Sequence, residues 1–188
     1  MSSRIAVPAP PRTAMTRVAG RARAAAWAVR RPALRGLHLD PGDGAWIGCG
    51  PQARITGGEH FHARGDLTLV VEGRLSIGRG VFFNRGAHVV AFHDVHIGDQ
   101  VRFGESVSVH DENHVIEPMA DQQVRFGEYD VAPVWIGDRV LVGAHTTILA
   151  GARIGDDAVI GAGSLVRGEI PPGVLAAGVP ARVIRTLA

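Results

Sequence analysis

The chain contains no lysine: all 20 of its basic residues are arginines. Aromatic side chains make up only 5% of it, with a single tyrosine, and there is one cysteine. So few aromatics beside 25 glycines and abundant Val, Ile and Ala argue against a helical bundle. They favour short strands punctuated by tight turns. The lone Cys49 excludes an internal disulfide and fits a reducing compartment, so the cytoplasm is the expected location. No apolar run reaches the roughly 18 residues needed to cross a bilayer. At 188 residues the length suits one domain with a real hydrophobic core.

Acidic residues are missing from the first 36 positions, where eight arginines fall (Arg4, Arg12, Arg17, Arg21, Arg23, Arg30, Arg31 and Arg35). From Leu37 onward 12 arginines face 18 acids, a net charge of −6. The sequence pI of about 9.4 therefore describes an arm, and the body is mildly acidic, which argues against a nucleic-acid partner. Residues 1–36 include the Pro-rich stretch VPAPPR, followed by TRVAGRARAAAWAVRRP, which has the composition of an Arg-faced helix. This start has some transit-peptide character but no secretory apolar region. Either a loosely docked arm or a contact with an anionic membrane or a partner fits it.

What the sequence does have is a beat of six. An aliphatic residue stands at Ile136, Val142, Ile148, Ile154, Ile160 and Val166 without a slip. The same spacing runs through Ile97, Phe103, Val109 and Val115, and earlier through Ile77, Phe83 and Val89. An even period puts every repeated side chain on one face of an extended strand, whereas a helix would smear the residues around its surface. Short strands with Gly and Asp at the corners wind into a three-sided coil of about three hexads per turn. The fold class is therefore all-β, a left-handed parallel β-helix over residues 37–172. Upstream the beat is ragged, at Ile47, Ile55 and Val71, so one or two irregular coils are expected there. Pro171-Pro172-Gly173 ends the coil and leaves residues 173–188 as a tail.

A regular coil offers no pocket, so the breaks matter. The largest comes after Val115, since the next in-phase aliphatic is Ile136. Residues 116–133 must leave the coil as an extended loop, and loops this long in a compact domain tend to carry function. The hexad before it, VHDENH, holds His110 and His114, both expected to point outward. Asp111 and Glu112 between them either tune a neighbouring base or are solvated turn residues.

A metal site would need three or four ligands converging on one point. Parallel β-helix carbonic anhydrases draw three histidines from neighbouring coils, two of them on a stretch of roughly GHxxxxHG. Here VGAHTTILAG supplies His145, but Leu149 and Ala150 occupy the region of the second. His88, His93, His96 and His110 show no coil-by-coil spacing. No metal is expected, and a carbonic-anhydrase-like metalloenzyme stays as an alternative, beside a non-catalytic β-helix scaffold.

The stretch VWIGDRVLVGAHTTILAGARIGDDAVIGAGSLVRGEIPPGVLAAGVPARVIR, with its IGAGS hexad, IPP turn and AAGVPARVIR ending, closely resembles the hexapeptide-repeat acyltransferases. The likeness is greatest to the sugar O-acetyltransferases of the maltose and galactoside type, and it runs from about Leu75 to Arg185. The D-x-x-H pattern at Asp111–His114 is similar to the polysaccharide O-acetyltransferase branch.

The resemblance implies an acetyl-CoA-dependent transfer to a hydroxyl of a sugar or glycan precursor in a direct ternary complex. It places the general base on His114 and an acceptor-contacting asparagine on Asn84, with His110 and Asp111 beside the acceptor. The backbone N–H of Ala144 takes the oxyanion position. Gly161, Ala162 and Gly163 give the acyl-CoA a close approach, and Arg182 and Arg185 meet its phosphates. It further implies a homotrimer with parallel coil axes and active sites between subunits. The sequence departs from the family's pattern at Leu141, where a tryptophan is frequent, and at Phe92, where the galactoside enzymes have an acidic acceptor position.

Overall fold

The computed structural model describes residues 3–6, 15–18, 39–40, 44–115 and 127–187. Among them every regular element is a strand. Strands β1 (Ser3–Ala6) and β2 (Met15–Val18) belong to the arm. The first coil is β3 (Leu39–Asp40), β4 (Ala45–Cys49) and β5 (Arg54–Gly57). The second is β6 (Phe61–Ala63), β7 (Thr68–Val71) and β8 (Arg74–Ile77), and the third is β9 (Phe82–Phe83), β10 (His88–Ala91) and β11 (Asp94–Ile97). The fourth begins with β12 (Arg102–Phe103) and β13 (Ser108–His110). It then detours through β14 (Glu112–His114) and β15 (Glu128–Val131) before closing with β16 (Val134–Ile136). The fifth is β17 (Leu141–Val142), β18 (Thr147–Ile148) and β19 (Arg153–Ile154), and the sixth is β20 (Val159–Ile160), β21 (Leu165–Val166) and β22 (Glu169–Ile170). The chain ends with β23 (Val174–Gly178) and β24 (Ala181–Thr186).

These strands stack into three parallel sheets, one per face of the coil. The first face runs β4-β7-β10-β13-β18-β21, the second β5-β8-β11-β16-β19-β22, and the third β3-β6-β9-β12-β17-β20-β23. The result is a parallel β-helix of about six turns. The in-phase aliphatics fill its axis: Ile77, Val89, Ile97, Val109, Ile136, Val142, Ile148, Ile154, Ile160 and Val166 are all buried in one cluster. Burying each such side chain contributes about 1.5–3 kcal/mol. Inside, Phe83 stacks on Phe103 with centroids 4.4 Å apart, and Phe61 meets Phe83 tilted at 5.6 Å.

The IGD hexads have a direct structural cause. Asp138 Oδ1 accepts the Asp99 N–H at 2.8 Å, Asp156 Oδ1 accepts the Asp138 N–H at 2.9 Å, and Asp99 Oδ1 accepts the Arg79 N–H at 2.8 Å. Each aspartate thus satisfies a corner N–H of the coil before it. The glycine ahead of the aspartate leaves room, since a Cβ on Gly98 would strike Asp138 and one on Gly137 would strike Asp156.

The structure corrects four expectations. From the second coil to the detour the coils repeat every 20 residues, as in the pairing of His62 with Phe82 and of Phe82 with Arg102. Only later does the spacing fall to the 18 of three hexads, in Leu141 with Val159. The extra residues sit at a wide corner between the first and second faces, which explains why the beat slips between Val89 and Ile97.

The beat also fails earlier than Val115. The chain leaves the coil at Asp111 and rejoins it at Ala132, whose N–H donates to the Asp111 carbonyl at 3.0 Å. The detour is an antiparallel hairpin of β14 and β15, and Val115 is buried outside the main core cluster. Of the loop expected at 116–133, residues 116–126 lie outside the described residues, and Glu128–Val131 is a strand.

The helix expected in the arm is contradicted at Met15–Val18, which is a strand paired antiparallel with β4. The rest of that stretch lies outside the described residues. Finally, the coil does not stop at Pro172: β23 continues the third face beside β20, and β24 then folds back antiparallel along it.

Candidate active site

The wide corner between the first and second faces holds His110, Asp111 and His114. Asp111 is fully buried, and its carboxylate accepts the backbone N–H groups of Phe92 at 2.8 Å, His93 at 2.7 Å and Asp94 at 2.6 Å. Burial pushes its pKa up, opposed by the three backbone donors and by His93. It is therefore a clamp on the preceding coil's corner, with both carboxylate oxygens occupied, and not a solvated turn residue.

Glu112 is turned toward His110, with Oε1 3.2 Å from Nδ1. The His110 ring in turn meets His88 edge-on, at 5.2 Å between centroids. Burial lowers the His88 pKa; His110 adds to that effect and Glu112 opposes it. A carboxylate on Nδ1 fixes the tautomer and direction of an imidazole, leaving Nε2 outward.

His114 is exposed on β14, in register with Tyr129 of β15, and their rings lie 5.1 Å apart. Tyr129 also receives the Phe92 ring edge-on at 4.8 Å. Sequence reasoning missed Tyr129, although the signal was available: it is the chain's one tyrosine, and it stands just before the in-phase beat resumes.

At the corner between the third and first faces a second column assembles. Asn84 lies there in the third coil, half-buried, with its Oδ1 accepting the Arg85 N–H at 3.0 Å. Two coils on is Ala144, whose N–H finds no acceptor among the described residues, while the flanking Gly143 and His145 N–H groups are both bonded. The next coil brings Gly161, Ala162 and Gly163. The Gly161 carbonyl accepts both Ser164 Oγ at 2.6 Å and Thr146 Oγ1 at 3.2 Å, which holds this corner rigid. Gly161 must be glycine because a Cβ there would press on Ala177 at 2.7 Å. Gly163, with φ of 68°, faces open space.

Arg182 pairs with Ala177, whose Cβ faces Gly161, so β24 brings this residue alongside the same column. Arg185 pairs with Leu175, farther along. Both arginines are exposed and bond only to neighbouring carbonyls, leaving two cations without an acidic partner among the described residues. His145 is exposed at this corner with φ of 58°, and among the described residues no three His, Cys, Asp or Glu side chains gather into a metal-binding group.

One chain does not bring the two corners together. From Glu105 to Asp111 the first face spans six residues, about 20 Å of extended strand. The base candidate stands at one end of that face, and the unpaired N–H, the small-residue column and the arginine stand at the other.

This architecture has relatives. Residues 133–168 match the family described as bacterial transferase hexapeptide (six repeats). The chain is 34% identical over 158 residues to the galactoside O-acetyltransferase of Escherichia coli K12, covering 84% of this chain and 68% of that protein. It belongs to the hexapeptide-repeat acetyltransferases. A putative lipopolysaccharide biosynthesis O-acetyl transferase of the same organism is 34% identical over 144 residues, which cover 70% of this chain and 71% of the relative. Among solved structures, the hexapeptide-repeat acetyltransferase of Vibrio cholerae complexed with acetyl coenzyme A superposes with a TM-score of 0.54 at 25% identity. That match covers 74% of this chain and 68% of the other. Family membership thus rests on the coil and on sequence shared across most of its length.

Proposed function

We propose that this acyltransferase moves an acetyl group from acetyl-CoA to a hydroxyl of a sugar or glycan precursor, with His114 as general base. The observation that carries the reading is the pairing of an exposed imidazole at the coil's exit point with an unpaired N–H at the opposite corner. The family gives the donor: a member has been solved with acetyl coenzyme A bound. The galactoside and lipopolysaccharide relatives support a sugar acceptor. Asn84, His110 and the Asp111 corner then line the acceptor side. Gly161, Ala162, Gly163, Arg182 and Arg185 line the acyl-CoA side.

In the reaction, His114 removes the proton of the acceptor hydroxyl as its oxygen attacks the thioester carbonyl. The tetrahedral oxyanion accepts the Ala144 N–H, and its collapse expels the CoA thiolate, which takes the proton back from the imidazolium. A backbone donor is indifferent to the side chain it carries, so alanine at 144 serves. A positioned base contributes about 10²–10⁴-fold. Because base and oxyanion donor lie a full face apart in one chain, the complete site needs His114 from one copy and Ala144 from another. That geometry supports a closed homotrimer with sites between subunits.

The test is His114→Ala assayed by CoA release with a galactoside acceptor. Loss of about 10²–10⁴ in kcat, with CoA binding retained, supports the assignment; a fully active variant overturns it. His110 is the competing base, since it alone of the two has a carboxylate on Nδ1. An inactive His110→Ala beside an active His114→Ala would transfer the role to it.

A further inference from the structure

We propose that Tyr129 is the positioning residue for His114, holding the imidazole by ring contact and tying it to the rigid coil through Phe92. The inference rests on the reading of His114 as the base. His114 is otherwise poorly held: it is exposed, sits on a three-residue strand, and among the described residues has no hydrogen bond to its ring. An imidazole in that setting samples several rotamers, and a base that must meet a hydroxyl at hydrogen-bond distance loses rate each time it strays.

Three features place Tyr129 to prevent this. It is the direct cross-strand partner of His114, at the position where facing side chains touch, and the rings are 5.1 Å apart with 38° between planes. On its far side the Phe92 ring meets it at 89°, the edge-to-face geometry aromatic pairs prefer. Phe92 is itself fixed, because its N–H is one of the three groups held by the buried Asp111 carboxylate.

The backbone of Tyr129 is held from both edges. β15 is the middle strand of a three-stranded sheet, with β14 on one side and the arm strand β1 on the other, where Ile5 faces Tyr129. The order of restraint runs from Asp111 to Phe92, to Tyr129, to His114. No hydrogen bond from the phenol hydroxyl to another described residue contributes, so the ring and not the hydroxyl performs the task.

The experiment compares Tyr129→Leu and Tyr129→Phe in the full chain. The ring-proton NMR signals of His114, assigned by their disappearance in His114→Ala, report the contact directly through the ring current of Tyr129. The Leu variant is expected to move those signals, and to lower kcat for acetyl transfer to methyl β-galactoside by about 10–10²-fold. Its KM for acetyl-CoA is expected to stay unchanged. The Phe variant, which keeps the ring, is expected to restore both the signals and kcat to within about twofold of the parent. A Leu variant with parental His114 signals and parental kcat overturns the proposal, as does a Phe variant as impaired as the Leu one. Should His114→Ala stay active while Tyr129→Leu still moves the His114 signals, the contact stands and the base assignment is what fails.

Discussion

Asp111 Oδ2 accepts the backbone N–H of Asp94 at 2.6 Å, so the residue at which the chain leaves the coil also secures the corner of the coil before it. With Phe92 and His93 donating as well, one buried carboxylate serves three backbone groups that would otherwise be unpaired.

Asp111→Asn should therefore destabilise the protein sharply. An amide offers one acceptor oxygen, and its NH2 confronts N–H donors instead of satisfying them. Stranding one or two buried donors costs about 2–4 kcal/mol, read as a shift of the urea midpoint without a change in slope. A midpoint unchanged from the parent would show that the corner does not depend on this residue.

Stability should fall below the ordinary histidine range, and His88 should be one cause. Burial and the nearby His110 hold its folded pKa below the usual 6.5, so the unfolded chain binds the proton more readily. The stabilising contribution is full above about 6.5 and is lost as pH falls through the lower folded value. His96, half-buried and stacked on Trp135 with centroids 3.7 Å apart, is also lowered and acts in the same direction. In denaturation curves between roughly pH 7 and 5, His88→Gln should flatten part of the slope and the double variant with His96→Gln more of it. An unaltered slope in the double variant would contradict this account.

Gly104→Ala should damage catalysis from beneath. A Cβ at Gly104 would lie 2.5 Å from the Ala144 nitrogen, so the corner of the next coil must move. Displacing an oxyanion donor costs about 10²–10³-fold in kcat. CoA affinity, which the proposed site spreads over Gly161–Gly163 and the two arginines, should change far less. Equal losses in kcat and CoA binding would instead indicate that the whole corner had collapsed.

The proposed sharing of sites between copies predicts complementation. Asn84→Ala and His114→Ala should each be inactive alone. Co-expressed, random assortment gives about a quarter of the interfaces an intact His114 from one subunit and an intact Asn84 from its neighbour. Recovered activity in the mixed oligomer checks the arrangement; none, with mixed oligomers demonstrably present, would place both residues in one subunit's site.

The coil was legible because its signal is local and repeated. Burial of one side chain in six, with Gly-Asp at the corners, needs only strand alternation and corner hydrogen bonding. Ile136 to Val166 therefore announced the core directly. The IGAGS and AAGVPARVIR stretches, which carry the family resemblance, lie where small residues let coils stack and let the last strand fold back. His114 and Asn84 are candidates through that resemblance, since neither stands out by composition.

The sequence by itself thus determined the β-helix, its core column and the family it belongs to, because each follows from contacts that recur every six residues. Only the tertiary structure decided the 20-residue coils, the exit at Asp111 and the strand nature of Met15–Val18. Each of these depends on a partner far along the chain, and no local pattern encodes which distant N–H a carboxylate will meet. The same holds for the site. Tyr129 reaches His114 across an antiparallel pair closed by the detour, and Asp111 is buried under a corner 17 to 19 residues earlier.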